Sequence, residues 1–185
     1  GRARIRLLSF GLGSLWGSGT GAGALAIALK ATGRHLGLDG TLDHLIGRWH
    51  HERRVRIDVG FVEHDGRESC FVESVGFGLV TDCIETGRRI LSKDDPAAHL
   101  DGARDLYADL LSRATPHQYH VSIDGEELNA GYLLVEALNT PRIGPGLEPS
   151  AGASSADGLL SVVCMTEAER PQFEEYLRAL RRGAA

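Results

Sequence analysis

The sequence predicts an α+β fold, dominated by antiparallel hairpins between about residues 55 and 166 and flanked by helices. Three observations carry that reading. Val55, Ile57 and Val59 alternate with Arg56 and Asp58, the period of a half-buried strand. Asp-Gly pairs at 65–66, 124–125 and 157–158 fall beside apolar runs, where tight turns are expected. Leu100, Ala103, Tyr107, Leu110 and Leu111 fall on one helical face, as do Phe173, Tyr176, Leu177 and Leu180.

In chain order, Gly17–Gly23 opens a helix of Ala and Leu that ends near Gly37. Glycines at a helix start can expose backbone amides to a phosphate, although the run is neither a P-loop nor a good GxGxxG. Asp39-Gly40 makes a turn, and Thr41 caps a short helix through about Trp49. A strand around Val55–Val62 and a second at CFVESVGFGLV (70–80) form a hairpin about His64-Asp65-Gly66-Arg67. Helices follow at Val80–Leu91 and Ala97–Ala114, then strands at Tyr119–Ile123 and Gly131–Leu138. The stretch from Tyr132 to Met165 joins two apolar strands through an Asn-Thr-Pro break and a long loop of small residues. Such a loop lets a ligand or a second domain approach a sheet edge closely. The second of those strands is Leu159–Met165, and a helix ends the chain.

The chain of 185 residues carries a net charge of −5, 42% apolar and 24% charged residues, as expected of a globular protein. No run of 18 apolar residues suggests a membrane-spanning helix. The basic, then small and apolar start mimics a signal peptide, but Gly interrupts it and no cleavage site follows. The first residue is not Met, so upstream sequence or a leftover tag is expected. Cys70, Cys83 and Cys164 have neither metal spacing nor a paired framework, and read as buried thiols of a cytoplasmic protein. None of the eight His has ligand spacing with a second His or Cys, so no metal ligand is predicted. Residues 1–56 hold nine of the 20 Lys/Arg but three of the 25 Asp/Glu, culminating in Arg48, His50, His51, Arg53, Arg54 and Arg56. That cluster suits a solvated face, or phosphate of a nucleotide or anionic membrane. Without aromatic platforms beyond Trp49, nucleic acid is not an expected partner.

FVESVGFGLV (71–80), IDGEEL (123–128), LVEALNTPRIGPGL (134–147) and ADGLLSVVCMTEAER (156–170), with Ile57-Asp58-Val59-Gly60-Phe61-Val62 before them, resemble the diacylglycerol kinase family of lipid kinases, which includes sphingosine kinases. The likeness covers roughly residues 36 to 180. It implies an antiparallel, β-sandwich-like lipid-accepting domain at residues 51–185. Residues 1–50 would then be the tail of a nucleotide-binding domain. In that family ATP binds a GGDGT motif in an N-terminal domain, and the lipid is phosphorylated in the cleft between domains.

The resemblance also assigns roles. Gly19-Thr20 match the Gly-Thr of the family's PxGTxND motif and are the cofactor-binding candidates, but Ala22, Gly23 and Ala24 replace the Asn and Asp that should follow. No GGDGT precedes them. The family's catalytic acid falls on Gly152, so Glu148 and Asp157, which flank it, are the catalytic candidates. Glu73 and Asn139 are the substrate-binding candidates, although Asn139 before Thr-Pro also suits a simple turn. Asp124 and Asp157, each before Gly, suit turns as well. The implied activity is ATP- and Mg²⁺-dependent phosphorylation of a diacylglycerol-like lipid hydroxyl in phospholipid metabolism, with peripheral membrane association. The chain by itself is expected to be incomplete or inactive. An alternative is a non-catalytic lipid- or partner-binding module. A third reading is a fragment whose open strand edge pairs into a homodimer.

Overall fold

The computed structural model describes residues 3–11, 43, 47, 56–91 and 96–183, with side chains for 43, 47, 56–91 and 98–183. The Gly17–Gly23 run, the helix after it and the His50-His51 pair lie outside the described residues. Of the helix predicted over Thr41–Trp49, Asp43 and Gly47 are described, and both are helical. The chain divides into two compact units, residues 1–75 with 138–161, and residues 76–137 with 162–185.

The first unit is built on a three-stranded antiparallel sheet in the order β1 (Ala3–Gly11), β2 (Arg56–His64), β3 (Arg67–Phe71). The register pairs Leu8 with Val59 and Ser9 with Asp58 on one side of β2, and Gly60 with Phe71 on the other. Residues 3–11, within the start that mimics a signal peptide, are therefore a strand. Asp65 (φ 50°) and Gly66 (φ 71°) close the β2–β3 hairpin in the left-handed conformation that a two-residue turn of this hand requires. Ile57 and Val59 are buried as the alternation predicts. Asp58, expected opposite them on a polar face, is completely buried too.

The predicted strand over 70–80 is two strands in different sheets. The chain breaks at Val72-Glu73, and β4 (Ser74–Gly78) pairs with β8 (Ala130–Leu138) instead of β2. β8 is the central strand of a four-stranded sheet that also holds β5 (His117–Tyr119) and β9 (Ser161–Thr166). Every residue from Tyr132 to Leu138 is buried, as a strand covered on both faces must be. The predicted strand Tyr119–Ile123 also divides. β5 pairs with β8, whereas β6 (Ser122–Ile123) folds back on β7 (Glu126–Glu127) over Asp124-Gly125. The Leu128 N–H donates to the Val121 carbonyl at 2.7 Å and closes that small ribbon, which explains the break at His120.

In the second unit α1 (Leu79–Ile90) and α2 (Pro96–Arg113) follow the predicted spans to within a residue or two. Leu79, Cys83, Leu106, Tyr107 and Leu111 are buried. A short 3₁₀ turn, Glu167–Glu169, leads from β9 into α3 (Arg170–Arg181). Thr166 and Glu169 form a reciprocal capping box, with the Thr166 N–H donating to Glu169 Oε2 at 2.8 Å. The Arg170 guanidinium donates to the carbonyls of Leu111 and Ala114, satisfying orphan acceptors at the end of α2. Leu177 and Leu180 are the buried face of α3, with Phe173 and Tyr176 half-buried and stacked at 5.8 Å.

The thiols do not share one environment. Cys83 is buried, Cys164 half-buried, and Cys70 exposed, because β3 is an edge strand. Burial pushes the Cys83 and Cys164 thiols up, and at Cys83 the Asp82 charge adds to it. No helix among the described residues is long and apolar enough to cross a membrane.

Candidate functional site

In the first unit, the chain leaves β8 at Asn139 and returns to β9 through a folded loop whose contacts converge on Asp58, Glu73 and Asn139. Asn139 is completely buried. Its backbone N–H donates to the Glu73 carbonyl at 2.8 Å, and its Nδ2 donates to the carbonyls of Asp58 (2.8 Å) and Val72 (2.7 Å). One amide thus ties the loop to β2 and to the break after β3. A side chain that carries two donors on one nitrogen can do this, and a carboxylate cannot.

The loop beyond Asn139 is ordered by its own backbone. Thr140, also buried, donates its hydroxyl to the Arg142 carbonyl at 2.9 Å. Ile143 and Leu147 exchange two backbone hydrogen bonds, of 2.9 and 3.1 Å, around Gly144-Pro145-Gly146. Gly144 (φ 51°) and Gly146 (φ 88°) adopt the left-handed geometry that this reversal needs, which buries Ile143 and Leu147. The Gly144 N–H donates to Glu73 Oε1 at 3.1 Å, so Glu73 holds the tip of the reversal. Arg142 and Glu148 form an ion pair at 2.9 Å, and both are partly exposed, a geometry worth at most about 1 kcal/mol.

The second half of the loop is fastened by Asp58. Its N–H donates to the Ser155 carbonyl at 2.7 Å, and its Oδ2 accepts the Gly158 N–H at 2.7 Å. Asp157 is exposed, and its Oδ1 accepts the Leu159 N–H at 3.0 Å within its own turn. Gly152 is exposed as well, and a Cβ built there would meet nothing within 4 Å.

The structure brings Glu73 and Asn139 into direct contact. Glu73 is half-buried in the break between β3 and β4, not on an exposed strand face. Glu148 is engaged by Arg142, and Asp157 by its own turn. Gly19 and Thr20 lie outside the described residues. Asp124 sits at the exposed tip of the β6–β7 hairpin in the second unit (φ 51°). Asp58 is the participant that the alternation concealed. The available signal was a lone acid flanked by Ile57 and Val59, in a strand otherwise buried at its centre. Among the described residues no group of three or more His, Cys, Asp or Glu is arranged to hold a metal ion.

The strand β8 is packed core, with Leu133, Leu134 and Leu138 buried. Two surface depressions of about 250 Å³ occur in the second unit. One is lined by Asp82, Arg113 and His117 together with Leu110 and Leu133, and the other by Glu174, Arg178 and Arg181. Both are smaller than an ordinary small-molecule site.

Residues 106–185, somewhat under half of the chain, match the YegS C-terminal NAD kinase beta sandwich-like domain. A crystal structure from Bacillus anthracis str. Sterne, of a protein provisionally named a diacylglycerol kinase, superposes with a TM-score of 0.54 at 18% identity. The match covers 80% of this chain and 45% of that one, so the chain spans less than half the length of the structure it resembles. At that identity the superposition shows the fold. No curated protein matches the chain.

Proposed function

We propose that this chain, whose residues 106–185 match the YegS C-terminal NAD kinase beta sandwich-like domain, is the lipid-side portion of a lipid kinase of the diacylglycerol kinase family. The match over residues 106–185 is the observation that carries the reading, and the α+β fold with its central buried β8 agrees with it. In the reaction proposed, the lipid hydroxyl gives up its proton to a base. Its oxygen bonds to the γ-phosphorus of ATP, and the bond to the β–γ bridging oxygen breaks to release ADP. ATP and Mg²⁺ are the cofactors the family implies. The described residues of this chain do not gather a metal-binding set, so no step is assigned to a metal here.

A second reading, a lipid- or partner-binding module without turnover, is favoured by a specific observation. The position matching the family's acid is Gly152, and the neighbouring carboxylates are committed, Glu148 to Arg142 and Asp157 to its own turn. One pair of measurements separates the two. Thermal melting with ATP and Mg²⁺, and separately with diacylglycerol-containing vesicles, reports what binds. Transfer of labelled γ-phosphate to diacylglycerol reports turnover. The kinase reading expects a nucleotide shift and labelled lipid. A vesicle-dependent shift with no nucleotide shift and no label supports the binding module.

A further inference from the structure

Two exposed Asp-Gly pairs are held in contrasting ways, Asp124-Gly125 at the tip of the β6–β7 ribbon and Asp157-Gly158 before β9. In an Asp-Gly pair the backbone nitrogen can attack the preceding side-chain carboxyl, because glycine has no Cβ to hinder the approach. At 157–158 both reacting groups are occupied. The Gly158 N–H donates to Oδ2 of the buried Asp58 at 2.7 Å, and Asp157 Oδ1 accepts the Leu159 N–H at 3.0 Å. At 124–125 neither group is engaged among the described residues, and a Cβ on Gly125 would meet nothing within 4 Å. The ribbon there pairs only Ser122 with Glu127 and Ile123 with Glu126, and an isolated two-stranded ribbon opens readily. Two other pairs are better held. Asp101-Gly102 lies inside α2, and Asp65 Oδ2 is 3.4 Å from His64 Nε2 in a longer hairpin.

We propose that Asp124-Gly125 is a site of spontaneous isoaspartate formation, and that the bond from Gly158 to Asp58 protects Asp157-Gly158 from the same modification. The Gly125 nitrogen attacks Asp124 Cγ and a C–N bond forms. The hydroxyl of the protonated carboxyl leaves as water with the amide proton, closing a succinimide ring. A water molecule then opens the ring at one of its two carbonyls. Opening at the side-chain carbonyl regenerates aspartate, and opening at the main-chain carbonyl leaves the chain linked through Cγ. That product adds a methylene to the main chain, which no longer fits the two-residue turn between β6 and β7. The reaction consumes one water for each water released and needs no oxidant, cofactor or partner. It is independent of the proposed kinase activity, since no nucleotide or lipid takes part.

The test is ageing of the full chain at physiological temperature and neutral pH, followed by proteolysis and mass spectrometry. Electron-transfer fragmentation tells the Cγ-linked product from aspartate, and the same chain unfolded in guanidinium gives the intrinsic rate of each pair. Isoaspartate is expected to accumulate at 124 in the folded chain. Folding should slow residue 157 at least about tenfold more than residue 124, since a hydrogen bond to a charged group must open first. Asp58→Ala should raise conversion at 157 and leave 124 unchanged. The comparison within the unaltered chain does not depend on that variant folding. Folding that slows both pairs to a similar degree, or no isoaspartate at 124 while the unfolded chain converts there, overturns the proposal.

Discussion

Single residues in this chain act largely through the space they leave. A Cβ on Gly76 would lie 2.0 Å from Glu136 Oε2 and 2.3 Å from the Val135 carbonyl, so only glycine lets β4 close on β8. Gly76→Ala is expected to cost about 1–3 kcal/mol, read from urea unfolding. Gly152 is the opposite case, with open space around it. Gly152→Asp should leave the melting temperature within about 2 °C, since exposed changes away from packed features alter stability little. If the kinase reading holds, the same variant should raise phosphate transfer to lipid. The two thiols at the extremes of exposure give a third expectation. A maleimide should label Cys70 in the folded chain and reach Cys83 only after denaturation, because burial both shields that thiol and disfavours its thiolate. Mass spectrometry of labelled peptides checks this. The direct contact of Asn139 with Asp58 was not legible in the sequence, because alternation reports which face a residue takes and not what covers that face. Asp58 obeys the alternation, but the loop from 139 to 158 covers the face it occupies.

At the scale of elements, turns and helix spans were the readable part. Asp65-Gly66 and Asp124-Gly125 both close hairpins, and the α1, α2 and α3 spans follow their apolar spacing. What escaped was partner choice. The run 70–80 reads as one strand, but Cys70 and Phe71 pair with β2, Ser74–Gly78 pair with β8 and Leu79-Val80 open α1, a division decided by tertiary pairing. The entry to α3 carries a pH signature. The hydrogen bonds from Thr166 hold the Glu169 carboxyl below the usual carboxylate range. Its contribution is therefore complete above the ordinary carboxylate pKa and is lost as pH falls through the depressed folded value. Glu169→Gln should lower stability near neutral pH and flatten the acid limb of a stability–pH curve measured by denaturant titration. Thr166→Ala, which removes the other half of the box, should cost about 1 kcal/mol.

Among the hydrogen bonds described above, those that span the most sequence lie in the first unit, whose two stretches of chain are separated in sequence by residues 76–137. Asp58 and Gly158 are 100 residues apart, Asp58 and Asn139 81 apart, and Glu73 and Gly144 71 apart. During synthesis on the ribosome, at about 5–20 residues per second, roughly 5–20 s separate the appearance of the Asp58 carboxylate from that of its Gly158 donor. Until then Asp58 stands in a nascent sheet with its loop unmade. Ribosome-bound chains arrested before residue 139 should therefore leave the β2–β3 hairpin sensitive to protease, whereas chains extended past residue 158 and clear of the exit tunnel should protect it. The clasp around Asp58 is thus also a timer, which marks when the first unit has received enough chain to close.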